Sequence, residues 1–119
     1  MQTVVELPRY IKTAKDAGMS EVEMTEVVTY IAQHPDAGDE IKGTGGCRKL
    51  RFAGKGKGKS GGYRVVTFYS GVDIPVFLLA AYAKNDRANL TAAEAKALGS
   101  LTKVLVDSYK KRVTPLRSA

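Results

Sequence analysis

One cysteine and one histidine in 119 residues leave little room for several common chemistries. A lone Cys47 excludes an internal disulfide and fits a reducing cytoplasm. It has no nearby base in the sequence and reads as a small, partly buried filler. His34 stands before Pro35 at a predicted helix end, where a capping or surface role outweighs catalysis. One His and one Cys cannot build a usual structural zinc site, so no metal and no other cofactor is expected. Gly43-Thr44-Gly45-Gly46 lacks the Gly-Lys-Ser/Thr ending of a nucleotide-binding loop. No charged segment followed by an apolar one opens the chain, so no secretory leader is expected. The longest apolar run, residues 76–83, is far too short to span a bilayer and reads as a buried strand. No membrane partner is expected.

Acidic residues are absent from one stretch altogether. Residues 42–64 hold eight cations, no acid and eight of the twelve glycines. The cations are Lys42, Arg48, Lys49, Arg51, Lys55, Lys57, Lys59 and Arg64. The net charge of +7 is therefore uneven: residues 1–41 sum to −5, residues 42–64 to +8 and residues 65–119 to +4. Like charges at this density repel one another unless a polyanion lies against them, and RNA or DNA is the common cellular polyanion. A length of 119 residues suits one domain, residues 1–119, with a modest core.

Local signals place the elements. Thr3–Leu7 reads as a short strand. Pro8 suits the first turn of a helix that shows Tyr10, Ile11 and Ala14 on one face and stops near Gly18. Ser20 and Glu23 make a capping box flanked by Met19 and Met24, and Val27, Val28 and Ile31 extend that helix until Pro35 forbids it. Asp36–Gly46 reads as a connector. Cys47–Phe52 is a strand with Leu50 and Phe52 on one face and Lys49 and Arg51 on the other. A lysine–glycine hairpin loop, Ala53–Gly62, leads to a strand at Tyr63–Tyr69. After a turn at Gly71–Pro75, the apolar strand Val76–Ala83 is expected at the centre of the sheet. Thr91 and Glu94 make a second capping box, before a helix with Leu98, Leu101, Leu105 and Tyr109 at helical spacing. Lys110, Lys111 and Arg112 suit its last turn. The order β-α-α-β-β-β-α predicts an α+β fold with helices packed on one face of an antiparallel sheet.

RNA cleavage needs neither a metal nor a histidine. A 2′-hydroxyl can attack the adjacent phosphate, given a base, positive charge on the transition state and a proton for the leaving oxygen. Arginine stays charged and grips two phosphate oxygens at once. A lysine among other cations is pushed toward its neutral, basic form. Plainer readings stand beside these. Lys55, Lys57 and Lys59 can be a mobile loop that only raises affinity. Lys49 and Arg51 can be an ordinary solvent face. Tyr63 can stack on a base or pack in the core.

Five separated pieces resemble the RelE/HigB family of bacterial toxins from type II toxin–antitoxin modules, most strongly the HigB branch. They are Gly38-Asp39-Glu40-Ile41-Lys42-Gly43-Thr44-Gly45-Gly46, Arg48-Lys49-Leu50-Arg51, residues 55–62, Arg64-Val65-Val66 and Tyr82-Ala83-Lys84-Asn85-Asp86. The likeness covers residues 36–100 well and the first 35 by pattern. It implies a RelE-like fold and an endoribonuclease that cleaves mRNA, usually on the ribosome. It also implies a cognate antitoxin, commonly a helix-turn-helix protein. The family's basic active-site strand falls on Lys49 and Arg51, its phosphate-binding arginine on Arg64, and its last basic position on Lys84, with Tyr82 one step inward. Arg48, Lys55, Lys57, Lys59 and Tyr63 are then expected to bind RNA or ribosome. Asn85 and Thr91 stand where the RelE branch tends to have a further arginine and a tyrosine, so the resemblance implies a different leaving-group chemistry here, with the lysines of 55–59 as candidate substitutes. The alternatives are a toxin of the related ParE branch, which acts on DNA gyrase, and a non-catalytic RNA-binding module.

Overall fold

The computed structural model describes residues 2–53, 62–71, 73–83 and 91–118, with side chains as far as Tyr109. The elements are β1 (Val4–Glu6), α1 (Pro8–Asp16), α2 (Glu21–Gln33), β2 (Asp39–Glu40), β3 (Cys47–Phe52), β4 (Tyr63–Phe68), β5 (Val76–Ala83) and α3 (Ala92–Ser118). Both capping boxes form. The Glu23 N–H donates to Ser20 Oγ at 3.1 Å and the Ser20 N–H to Glu23 Oε1 at 2.9 Å. Thr91 and Glu94 repeat the exchange at the start of α3. Each pair satisfies donors that a helix start leaves without partners.

The sheet has five strands in the order β1-β5-β4-β3-β2. It differs from the sequence expectation in four ways. First, β1 lies parallel to β5 while the remaining pairs are antiparallel, because the α1–α2 excursion carries the chain away between them. Second, the connector contains a strand: Asp39 faces Lys49 and Glu40 faces Arg48 across β2–β3. Third, β4 takes the middle position and β5 lies between it and β1. Being internal is enough to make β5 apolar on both faces. Fourth, the helices take both faces of the sheet. Tyr10, Ala14, Met24, Val27 and Ile31 from α1 and α2 pack with Tyr63, Val65, Val76, Leu78 and Ala81. Leu98, Leu101, Leu105 and Tyr109 from α3 cover Cys47, Val66, Phe68, Phe77 and Leu79 on the other side. A sheet apolar on both faces has two surfaces to cover, and one helix layer covers only one. The α3 helix also continues past Lys110–Arg112 to Ser118.

Two local features set the register. Between Val66↔Ala80 and Thr67↔Leu78 the β4–β5 ladder skips Leu79, so β5 carries one extra residue. This β-bulge shifts the side-chain alternation of β5 by one. At the β3–β4 hairpin, Gly62 has φ +67°, and a Cβ there would run into the Phe52 carbonyl oxygen. Only glycine closes the loop onto the ladder at that point.

Candidate nucleic-acid interface

Opposed residues in an antiparallel ladder point to the same side of the sheet. Arg51 faces Arg64 across β3–β4, and Arg64 faces Tyr82 across β4–β5. Lys49, two residues before Arg51, lies on the same side and faces Val66. Lys49, Arg51, Arg64 and Tyr82 therefore share the α3 side of the sheet, near the end where the lysine–glycine loop emerges. The bulge at Leu79 makes this possible. Were β5 paired with β4 without the skip, Tyr82 would face Tyr63 on the α1 side and Ala81 would face Arg64.

The row is costly as structure. Two guanidinium-bearing residues directly opposite one another destabilise a sheet. Arg64 Nε is buried and makes no hydrogen bond to any described residue. A buried donor left without a partner costs about 1–3 kcal/mol. An anion held between Arg51 and Arg64 would relieve both costs. Beside Tyr82 lies a cavity of about 380 Å³, lined by Arg9, Thr13, Ala80, Glu94, Ala97 and Leu98 among others. Its walls are mostly apolar, with one cation and one carboxylate at the rim.

The remaining candidates divide. Arg48 lies on the opposite side of β3 and donates through Nη1 to the Gly38 carbonyl at 3.2 Å, apart from the row. Tyr63 is 1% exposed. Its hydroxyl donates to the Gly18 carbonyl at 3.2 Å, and burial followed by the Glu23 charge raises its pKa. It is core, and no base can stack on it. Lys55, Lys57, Lys59 and Lys84 lie outside the described residues. Thr91 is the N-terminal cap of α3. His34 ends α2, its ring 4.6 Å from that of Tyr30, as a capping residue would be. Cys47 is fully buried, and burial pushes its thiol up to about 11, against a smaller opposing effect of its hydrogen bond with Thr44. A thiol held protonated is a poor nucleophile. Among the described residues no group of three or more His, Cys, Asp or Glu could hold a metal ion. No described helix is long and apolar enough to cross a membrane.

Sequence reading missed the carboxylate of Asp39 opposite Lys49, because a two-residue strand has no period to detect. It also missed Arg9 and Glu94 at the cavity rim, which only the tertiary fold brings beside Tyr82.

A family model described as the RelE toxin of the RelE/RelB toxin–antitoxin system matches residues 4–119. The chain belongs to the RelE toxin family. Among solved structures it is similar in fold to E. coli toxin RelE, in a doubly arginine-substituted mutant in the free state. The TM-score is 0.54 at 13% sequence identity, with 85% of this chain and 96% of that one covered. Membership implies a cognate antitoxin.

Proposed function

We propose that this toxin is an endoribonuclease that cleaves mRNA on the ribosome, and that it sits nearest the HigB branch. The observation that carries the reading is the Arg51–Arg64–Tyr82 row, two like charges set face to face with a buried guanidinium donor left over. In this reading Arg51 and Arg64 hold the non-bridging oxygens of the scissile phosphate. Lys49, whose amine can accept a proton where the two guanidiniums cannot, serves as base for the upstream 2′-hydroxyl. The O2′–P bond forms, the P–O5′ bond breaks, and O5′ leaves with a proton from Tyr82 or Lys84. The products are a 2′,3′-cyclic phosphate and a 5′-hydroxyl. An amine base acts only in its neutral form, so the rate should rise with pH. Lys55, Lys57 and Lys59 belong to binding, as a glycine-rich loop is ill suited to hold a base within hydrogen-bond reach.

Mapping mRNA 5′ ends after a pulse of expression tests the reading. New ends inside translated frames are expected. Intact mRNA with DNA damage would point to gyrase, and intact mRNA and DNA to a non-catalytic RNA binder. A 2′-deoxy substitution at the scissile nucleotide should abolish cleavage if the 2′-hydroxyl is the nucleophile. The antitoxin, read as a helix-turn-helix protein, is expected to cover the basic surface.

A further inference from the structure

A second basic hollow lies where α3 meets the turn at Lys42 and Gly43. It has a volume of about 530 Å³ and is lined by Lys42, Lys96 and Lys103 over Gly43, Ala95 and Gly99 among others, with no acidic residue. All three lysines are exposed, and none has a hydrogen bond or ion pair to a described residue. Lys96 and Lys103 are seven residues apart on α3, two helical turns, and so stand on one face about 10 Å apart along the axis. The floor is open because it is made of small residues. Gly43 has φ +80° and nothing within 4 Å of the place a Cβ would take. The floor is also fixed. A Cβ on Gly99 would stand 3.1 Å from the Gly43 carbonyl oxygen, so the helix rides directly on this turn. Thr102 Oγ1 lies 3.2 Å from the Thr44 carbonyl oxygen and ties the two together.

The hollow is continuous with the proposed cleavage site. Lys42 also lines a neighbouring hollow of about 350 Å³ that contains Lys49 and one carboxylate, Glu40. The path from Lys49 over Lys42 to Lys96 and Lys103 holds four cations against one carboxylate, Glu40.

We infer that this track holds the sugar–phosphate backbone of single-stranded RNA running away from the cleavage site. Three point charges over a glycine and alanine floor suit phosphates, which are spaced charges on a chain that needs only to approach closely. A protein partner would look for an aromatic or apolar anchor, and the hollow offers none. The inference rests on the RNA-cleaving reading and gives it a polarity: substrate is gripped well beyond the bond that is cut.

The test is fluorescence anisotropy of the full-length toxin with labelled oligoribonucleotides of four and twelve nucleotides, over a salt series. A 2′-deoxy scissile nucleotide prevents cleavage. The variant is Lys42→Ala/Lys96→Ala/Lys103→Ala. On the long strand it should bind at least about tenfold more weakly, and the slope of log K against log salt should fall by about 2, three phosphates at about 0.7 each. On the short strand, which reaches only the arginine row, it should match wild type, whereas Arg64→Ala should weaken both. A triple variant that binds the long strand with unchanged affinity and slope overturns the inference and leaves the cleavage reading standing. No binding of either strand by wild type overturns the inference together with the direct RNA contact it assumes. A larger loss toward poly-L-glutamate than toward RNA would hand the groove to an acidic protein partner and overturn it as well.

Discussion

At the level of the β3–β4 hairpin the two faces of one sheet have opposite fates. On the α1–α2 side the facing pairs are Phe52 with Tyr63 and Leu50 with Val65. They are joined by Tyr10 and Ile31 in one apolar cluster, with Tyr63 and Val65 buried and Leu50 and Phe52 partly so. On the α3 side, through the same strands, Arg51 faces Arg64 and Arg64 faces Tyr82. One face gains stability from every pair, and the other gives some up to keep two guanidiniums together. The α3 side is itself divided, since two residues before Lys49 it is sealed over Cys47. Charge and dryness are thus arranged by position along the strand as well as by face.

Four substitutions bear on that contrast. The largest effect on folding should come from Tyr63→Ala, which empties a buried aromatic site and costs about 3–5 kcal/mol in urea unfolding. Retained stability would mean that the dry face is not what holds the hairpin. Arg64→Ala should do the reverse. Cleavage should fall about 10²-fold or more, equivalent to about 2.7 kcal/mol, while the thermal midpoint stays within a few degrees of wild type. A folded Arg64→Ala toxin that still arrests growth would remove the row from the chemistry. Ser20→Ala, at the start of the helix that closes the dry face, should cost about 1 kcal/mol without changing the cleavage rate of the folded protein. The smallest effect concerns Cys47. Its folded thiol titrates at about 11 rather than the ordinary 9.0. The folded state therefore keeps a proton that the unfolded chain releases. The associated stability is complete below pH 9 and is lost as pH rises toward 11. Urea unfolding from pH 8 to 11, compared with Cys47→Ala, isolates this contribution from the tyrosines. Identical pH profiles would mean that the sealed end of the α3 face is wet.

Much of this was legible from short-range chemistry. Ser20 with Glu23 and Thr91 with Glu94 announce helix starts because a capping box is complete within four residues. The alternation of Lys49 and Arg51 with Leu50 and Phe52 announces two faces for β3. What escaped reading depends on distant partners or on strands without pattern. Asp39–Glu40 is too short to show alternation. Tyr63 looks the same in sequence whether it stacks on a base or on a core, and Gly18, its hydroxyl's partner, is 45 residues away. Which face α3 would choose follows from α1 and α2 having already taken the other.

The extra residue at Leu79 has a consequence for how this chain tolerates change. From Val76 to Ala81 the strand is unbrokenly apolar, so one such residue can replace another with modest cost. Its register is another matter. The site reads β5 in a frame set by the bulge, as a message is read in a frame set by its start. Pairing straight through Leu79 without the skip would restore perfect alternation and set Tyr82 opposite Tyr63 on the α1 side, bringing Ala81 opposite Arg64 in its place. Every side chain would still be suitable for a strand, and the tyrosine of the row would have been written on the wrong side of the sheet.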